Sequence, residues 1–315
     1  MSHIQIATPP THRLVNLDYR SFHVLTLGFN ADSQHYMDLS RLDMHAFFTG
    51  FLLKLPGHSK WFDMLYSQPD ELKAILAHVK AEHADVRNDR AKRSILGIGN
   101  GERAYGLHKR HPESFASTRD AQGVLDVLWG IFPEVLAYQD RIAERAKDEH
   151  FLTTRHGFIR WFHDVWHWQQ VSETYRPRNQ WTEVMRTPDG TRFVRRHGDD
   201  YEAAVSWFTQ NDAHCHLREA LHRLDDHKEL DERGLLARWG FNNTVHDSLE
   251  FDCETKLVDE CVHVGKQVME FHNLVLVSEL VPDGLWCEVE AGVGMNASKK
   301  SEGNPGGMED VEVKL

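Results

Sequence analysis

The order of apolar and polar residues divides this chain into a short strand-like beginning, a long helical middle and a strand-rich end. The apolar run at residues 11–20 predicts a strand, and the spacing of apolar residues over 21–55 and 58–150 predicts helices, with a Pro-Gly break at 56–57. The further elements expected are turns at Gly123 and Pro133, an aromatic-rich segment over 151–170, a polar, Arg-rich connection over 171–200 with a turn at 188–190, a long helix over 201–224, a β-hairpin over 241–253, an amphipathic helix over 255–274, an edge strand over 286–293 and a loop or mobile tail over 297–307.

The composition is that of an ordinary globular protein, with 41% hydrophobic and 27% charged residues. No apolar stretch approaches the roughly 20 residues that a membrane helix needs, so we expect no membrane partner. The four cysteines form no C-x-x-C pair, and the N-terminus has no basic-then-apolar signal pattern. We therefore expect reduced thiols and a cytoplasmic location, in the host cell cytoplasm if the protein is viral.

Two acids stand where strands are expected to end. Asp18 closes the first apolar run, and Asp247 lies near the tip of the predicted hairpin. Two carboxylates at strand ends can hold a pair of divalent cations, and paired cations suit phosphoryl transfer. Taken singly, however, an Asp at the end of a strand is more often an ordinary turn residue.

The segment over residues 90–107 combines cations with an unusual number of glycines. At helical spacing Lys92, Leu96 and Asn100 fall on one face, a stripe that can grip a triphosphate, a base and a template in succession. The alternative is an ordinary basic surface helix. Each interior glycine costs a helix roughly 1 kcal/mol relative to Ala, so the glycines indicate close approach of a ligand or another backbone. They are Gly97, Gly99 and Gly101.

Several motifs in order resemble those of the polymerase half of family A DNA polymerases, the DNA polymerase I family, in the bacteriophage form. Residues 18–23 resemble its first catalytic motif, DYSQIE, and residues 43–45 resemble the following D-x-H. Residues 90–107 resemble the nucleotide-gripping helix, RxxxKxxxFGxxYG, aligned on Lys92. Residues 203–210 resemble the template-contacting helix, and residues 245–248 resemble the second catalytic motif, VHDE.

The resemblance implies an α+β fold, with an antiparallel palm sheet carrying the two catalytic Asp and a largely helical fingers subdomain inserted. The implied subdomains are the first part of the palm over 1–55, fingers and connection over 56–200, the second part of the palm over 201–296 and a C-terminal tail over 297–315.

The resemblance also implies residue roles. Asp18 and Asp247 are the catalytic residues and bridge two Mg²⁺ ions, with the backbone carbonyl of Tyr19 completing the second ion's shell. Lys92 holds the triphosphate with Arg87 or Arg90, because Asn88 stands where the family has its second cation. The other implied nucleotide-binding residues are Leu96, Asn100, His23 and Tyr19, and the implied primer- and template-binding residues are Gln210, His246, Ser206 and Arg103.

The implied function is template-directed DNA polymerase, in which a primer 3′-hydroxyl attacks the α-phosphate of a dNTP on primer–template DNA. Because the first catalytic Asp is residue 18, we expect a second polypeptide that carries the thumb and possibly an exonuclease. His23 replaces a glutamate that excludes ribose, and Ser248 replaces a third acid. A single-subunit-type RNA polymerase-like nucleotidyltransferase and a catalytically weak nucleic-acid-binding subunit therefore remain alternatives.

The net charge of −12 is unusual for an enzyme that faces phosphates, although residues 80–110 carry eight Lys and Arg against four Asp and Glu. The 22 histidines suggest a less favoured rival, a zinc protein, since His163 and His167 have i, i+4 spacing. The aromatic residues over 161–168 could stack on template bases, but core or partner packing is the commoner use of such a cluster.

Overall fold

A computed structural model of the chain describes residues 10–176, 182–298, 300 and 304–311. The strands within these ranges are β1 (His12–Tyr19), β2 (Phe151–Thr153), β3 (Ile159–Trp161), β4 (Trp166–Val171), β5 (Val184–Arg186), β6 (Arg192–His197), β7 (Phe241–Val245), β8 (Ser248–Glu254), β9 (Val289–Gly294) and β10 (Glu309–Val311).

The α-helices are α1 (Phe22–Asn30), α2 (Gln34–Arg41), α3 (Met44–Leu53), α4 (Trp61–Ser67), α5 (Pro69–Glu82), α6 (Ala84–Val86), α7 (Lys92–Gly99), α8 (Ala104–Arg110), α9 (Thr118–Ile131), α10 (Pro133–Glu149), α11 (Tyr201–Asp226), α12 (Leu235–Arg238) and α13 (Val258–Met269). A π-helical turn over Arg87–Ala91 precedes α7. Together these elements confirm the expected α+β class. The described residues include no helix that is both long and apolar enough to cross a membrane.

The chain divides into two compact units, one of residues 1–22 with 212–315 and one of residues 23–211. This division rests on packing and does not test functional subdomains, so the boundaries expected at 55, 200 and 296 stay a prediction. The tail expected beyond 297 lies partly outside the described residues.

The first unit is built on a five-stranded antiparallel sheet in the order β10-β9-β1-β8-β7. Leu17 and Tyr19 of β1 are buried, and α13 packs so closely on this face that a Cβ on Gly265 would lie 2.5 Å from the Leu17 side chain. The hairpin expected over 241–253 is confirmed as β7 and β8.

Two expectations for this unit were wrong. The strand expected at an edge is β9, and it lies inside the sheet because residues 309–311 pair with it as β10. The amphipathic helix is shorter than expected, since α13 ends at Met269 and residues 272–285 form an irregular loop.

The second unit is mainly helical, as expected, and its core is rich in aromatic residues. Trp61 packs against Phe47 and Phe51, directly above Gly50 of α3. The turn expected at Gly123 was wrong, because that residue lies within α9 and its missing side chain faces open space. Pro133 instead begins α10, where its missing N–H leaves no hydrogen bond unmade.

The region expected to be a connection forms most of a three-stranded antiparallel sheet in the order β4-β6-β5, while β2 and β3 pair separately. The expected turn at 188–190 is confirmed, because it joins β5 to β6, whereas residues 177–181, including Arg178 of the Arg-rich stretch, lie outside the described part of the chain. Phe162 and Val165 are buried, so the core interpretation holds for part of the aromatic cluster, while Trp161 is 62% exposed.

Candidate active site

The sheet of the first unit brings the two predicted carboxylates together. Asp18 of β1 lies directly opposite Ser248 of β8, and Asp247 is the residue just before Ser248. The amide of Tyr19 donates a hydrogen bond to the carbonyl of Asp247 at 3.4 Å. Facing residues on antiparallel strands have their Cα atoms only about 5 Å apart, so Asp18 and Asp247 are close neighbours at one end of the β1–β8 pair.

Alternation along β1 decides which way the first acid points. Leu17 and Tyr19 face the core, so Asp18 faces away from it and is exposed, while Asp247 is half-buried. The Tyr19 hydroxyl donates to the carbonyl of Met269 at 2.8 Å, and burial raises the pKa of this phenol well above its ordinary value. The buried Tyr19 side chain therefore anchors the end of β1 and leaves only its backbone available for a site.

The hairpin turn is held in an uncommon conformation. Val245 pairs with Ser248, which leaves a two-residue loop of His246 and Asp247. His246 has φ of +57°, a left-handed conformation that costs an L-residue about 1–2 kcal/mol. The Ser248 hydroxyl donates to the Val245 carbonyl at 2.9 Å and so closes the turn. Ser248 thus takes a structural role at the position where the resemblance expects an acid.

Sequence reasoning missed a third carboxylate in this neighbourhood. Glu290 of β9 lies directly opposite Asp18 on the other side of β1. Its carboxylate is 3.4 Å from the guanidinium of Arg20, which also bonds Glu288 at 2.9 Å. Only the pairing of β1 with β9 reveals this residue, because 272 positions separate it from Asp18 along the chain.

The donor set suits a magnesium ion better than a zinc ion. Among the described residues, no three or more His, Cys, Asp or Glu side chains are grouped so that they could hold a metal. Mg²⁺ is usually held by one or two carboxylates together with substrate phosphates and waters, rather than by a complete protein cage. Asp18 and Asp247 are two carboxylates that could supply such an incomplete set of oxygen ligands.

The zinc alternative has little support. His163 and His167 are not on a helix, because Trp166 begins β4, so their i, i+4 spacing does not place them side by side. His214, Cys215 and His216 lie on α11, where His214 is exposed and the other two are buried.

In the second unit, α7 displays the predicted stripe. Lys92, Leu96 and Asn100 are all exposed on one side, while Ile95 and Ile98 are buried on the other. The Lys92 ammonium makes no hydrogen bond or ion pair with any described residue. An exposed ammonium without a carboxylate partner is well suited to bind an anion.

The π-helical turn alters which residue precedes Lys92 by one helical turn. The amide of Lys92 donates to the carbonyl of Arg87, five residues earlier, rather than to that of Asn88. Single π-helical turns are often found at functional sites. Arg87 therefore occupies the place that an unbroken α-helix would give to Asn88.

Both candidate arginines are held by carboxylates. Arg87 makes a bidentate pair with Asp43, with its closest N–O distance at 2.8 Å, and Asp43 also caps α3 by accepting from the Ala46 amide at 2.9 Å. Arg90 pairs with Asp120 at 2.5 Å. Arg87 is the more enclosed of the two, with a side chain 15% exposed against 34% for Arg90.

A buried histidine lies beside this group. His45 Nδ1 is 3.9 Å from the Asp43 carboxylate, and its Nε2 is enclosed without a hydrogen-bond partner among the described residues. Burial lowers the pKa of His45 to about 4, and the positive charges of Arg87 and Lys92 act in the same direction. The imidazole is therefore neutral at physiological pH.

Asn100 and Gln210 are joined directly. The Gln210 amide donates to Asn100 Oδ1 at 3.1 Å, and both residues are exposed. Gly101 makes this approach possible: it has φ of +78°, and a Cβ there would lie 2.9 Å from the Glu202 backbone. The close approach of another backbone, expected from the glycines, is confirmed at Gly101.

Three other predicted site residues, Arg103, Ser206 and His23, are less available to bind nucleotide or DNA. Arg103 is enclosed between the rings of Trp129 and Tyr201, and burial lowers its pKa to about 10. The Ser206 hydroxyl donates to the carbonyl of Glu202 within α11. Both groups are engaged internally, whereas His23 is half-buried at the start of the unit.

No protein-family profile and no curated protein sequence matches this chain. The chain is similar in structure to the POL domain of Pol1 from M. smegmatis, solved with DNA primer–template and dNTP, with a TM-score of 0.54 and 16% identity. The match covers 92% of this chain and 41% of that chain, so this chain spans less than half of the polymerase's length. The fold is that of a DNA polymerase I polymerase domain.

Proposed function

We propose that the protein is a template-directed DNA polymerase whose catalytic carboxylates are Asp18 and Asp247. The observation that carries the proposal is the pairing of Asp18 with Ser248, which makes two carboxylates from distant parts of the chain neighbours on a sheet of the polymerase fold. Their oxygen atoms would hold two Mg²⁺ ions, together with the backbone carbonyl of Tyr19. These ions supply activation of the primer 3′-hydroxyl and neutralisation of the leaving pyrophosphate.

The chain's own residues have separable roles in this proposal. Lys92 binds the incoming triphosphate by a charge-assisted hydrogen bond, and Leu96 packs on the sugar and base. Arg87 is the second cation, because the π-helical turn places it next to Lys92 on the helix. Asp43 holds Arg87 in position, so the arginine is oriented before any nucleotide arrives.

The remaining contacts concern the DNA. Gln210 and Asn100 act as one hydrogen-bonded unit on the template side, and His246 contacts the primer end from the tight turn of the hairpin. Arg103 and Ser206 support the fold around these residues, since the guanidinium of Arg103 lies between the rings of Trp129 and Tyr201 and the hydroxyl of Ser206 bonds within α11. His23 stands where sugar selection is made in the family that the motifs resemble.

Primer extension tests the proposal. The protein is incubated with primed DNA, Mg²⁺ and dNTPs, by itself and with the products of neighbouring genes added. We expect Asp247→Asn to lower the rate by a factor of about 10²–10³, as loss of a principal electrostatic group does. Asp259→Asn is the matched control, since Asp259 is an exposed acid of α13, and it should leave the rate unchanged.

The same assay separates the alternatives. A second polypeptide with the thumb stays a prediction, and extension that requires an added neighbour would support it. Faster extension with rNTPs than with dNTPs would favour the RNA polymerase-like activity. Primer–template binding without extension in any mixture would contradict catalysis and indicate a nucleic-acid-binding subunit.

A further inference from the structure

The sheet of β4, β6 and β5 is locally basic in an acidic protein. Residues 166–197 contain six arginines and three acids, whereas the whole chain has a net charge of −12. One side of this sheet packs on α10: Arg195 pairs with Glu144 at 3.0 Å, and Lys147 lies over the Trp166 ring. The opposite side carries Arg192, Val194 and Arg196 of β6, with the fully buried Val194 between the two arginines.

Strand register places cations together on that outer side. Arg186 of β5 lies directly opposite Arg192 of β6, and His167 of β4 lies directly opposite Arg196. Arg192 and Arg196 are on the same side of β6 because they are four residues apart. At about 3.4 Å per residue, their Cα atoms are about 14 Å apart along the strand.

These guanidiniums have no acidic partner among the residues that the structure describes. Arg192 donates to the carbonyls of Glu173 and Tyr175, and Arg196 donates to the side-chain oxygen of Gln169 at 2.9 Å. The Arg186 guanidinium makes no hydrogen bond or ion pair with any residue in the described ranges. In the same part of the chain, Arg195 is the contrasting case, since it pairs with two glutamates.

Like charges placed directly opposite on neighbouring strands destabilise a sheet. The Arg186–Arg192 pair thus works against folding, and an anion bound between the two side chains would relieve the repulsion. Tyr175 is half-buried beside these cations, and Arg196 lies 5.8 Å from the centre of its ring. A ring among unneutralised guanidiniums offers a stacking surface next to phosphate-binding groups.

We propose that the outer side of the β4-β6-β5 sheet, with Arg186, Arg192, Arg196 and Tyr175, binds single-stranded nucleic acid. The arginines would bind successive phosphates and Tyr175 would stack on a base. The proposal goes beyond the catalytic assignment, since none of these residues belongs to the candidate active site.

Salt-dependent binding of a fluorescein-labelled 20-nucleotide oligo-dT, measured by anisotropy, tests the surface. Each phosphate contact on a single strand contributes about 0.7 to the slope of log Kd against log salt. Arg186→Gln/Arg196→Gln should reduce the slope by about 1.4, which corresponds to about 25-fold weaker binding at 0.1 M salt. Arg186→Lys/Arg196→Lys keeps the charge and should retain most of the slope.

The matched control is Arg119→Gln/Arg141→Gln, which removes two exposed arginines from α9 and α10. An equal loss in this control, or an unchanged slope in Arg186→Gln/Arg196→Gln, would overturn the proposal. Tyr175→Ala should weaken oligo-dT binding about tenfold with the slope unchanged. An equal effect of Tyr175→Ala on a blunt duplex would contradict the choice of a single strand, because duplex bases cannot stack on the ring.

Polyglutamate as competitor separates nucleic acid from an acidic protein partner. If polyglutamate of matched charge displaces oligo-dT as well as unlabelled oligo-dT does, the surface is a general anion site and the proposal fails. Asp247→Asn should bind oligo-dT normally. Failure of catalysis and failure of this surface are therefore distinguishable.

Discussion

Asp18 and Ser248 face each other across the pairing of β1 with β8, and this register makes Asp247 the neighbour of an acid 229 positions earlier in the chain. On its other side Asp18 faces Glu290. Glu290 is paired with the guanidinium of Arg20, so Asp18 and Asp247 are the neighbouring carboxylates that a divalent cation would bind together.

Asp18→Asn should remove the response of the protein's stability to Mg²⁺. Mg²⁺ should stabilise the wild type by mass action and leave Asp18→Asn nearly unaffected. Urea unfolding with Mg²⁺ and with EDTA measures this response, with Asp259→Asn as the control that keeps it. Equal stabilisation of Asp18→Asn by Mg²⁺ would remove Asp18 from the proposed metal site.

Lys92→Gln should weaken nucleotide use without weakening the fold. A hydrogen bond to a charged group contributes about 1.5–3 kcal/mol, so KM for dNTP should rise about 10- to 150-fold. The free energy of unfolding should change by less than about 0.5 kcal/mol, because the side chain of Lys92 has no hydrogen bond or ion pair with a described residue. Lys80→Gln, in exposed sequence of α5, is the control. A large loss of stability in Lys92→Gln would point to a structural role instead.

The two arginines before α7 should differ in what they contribute to stability. Arg87→Gln leaves Asp43 largely enclosed without its partner and should lower the free energy of unfolding by about 2–3 kcal/mol. Arg90→Gln breaks a pair that is about a third exposed and should lower it by about 1 kcal/mol or less. Urea denaturation compares them. If Arg87 is also the second phosphate-binding cation, KM for dNTP should rise with Arg87→Gln but not with Arg90→Gln. A rise with Arg90→Gln alone would assign that role to Arg90.

His45 should make the protein less stable in mild acid. Its pKa is lowered to about 4 in the folded state, against 6.5 in an unperturbed imidazole, so the unfolded state binds more protons between these values. Stability is then lost as pH falls below about 6.5, with His45 accounting for about 2 kcal/mol between pH 7 and pH 5. His45→Gln should flatten this part of the pH profile, measured by urea unfolding at each pH. His78→Gln, in α5, is the control and should leave the pH profile of stability unchanged. If His45→Gln also leaves the profile unchanged, the His45 imidazole is accessible to solvent protons in the folded state and the prediction is wrong.

The sequence by itself determined the features that depend on local periodicity and turn chemistry. The apolar run before Asp18 specified β1, the hairpin around Asp247 followed from two runs joined by a short turn, and the i, i+4 spacing of Lys92 and Leu96 placed both on the exposed side of α7. Each of these depends on neighbours within a few positions, where backbone geometry fixes which side chains share a face.

Only the tertiary structure decided which distant segments meet. It placed Glu290 beside Asp18 and moved β9 to the interior of the sheet, because register and strand order are set by long-range pairing that no local pattern records. It also contains a π-helical turn in which the amide of Lys92 bonds the carbonyl of Arg87 instead of that of Asn88. One extra residue in a helical turn shifts the face on which every later residue lies. It also opposed Arg186 to Arg192, an unfavourable pair that local propensity would not select.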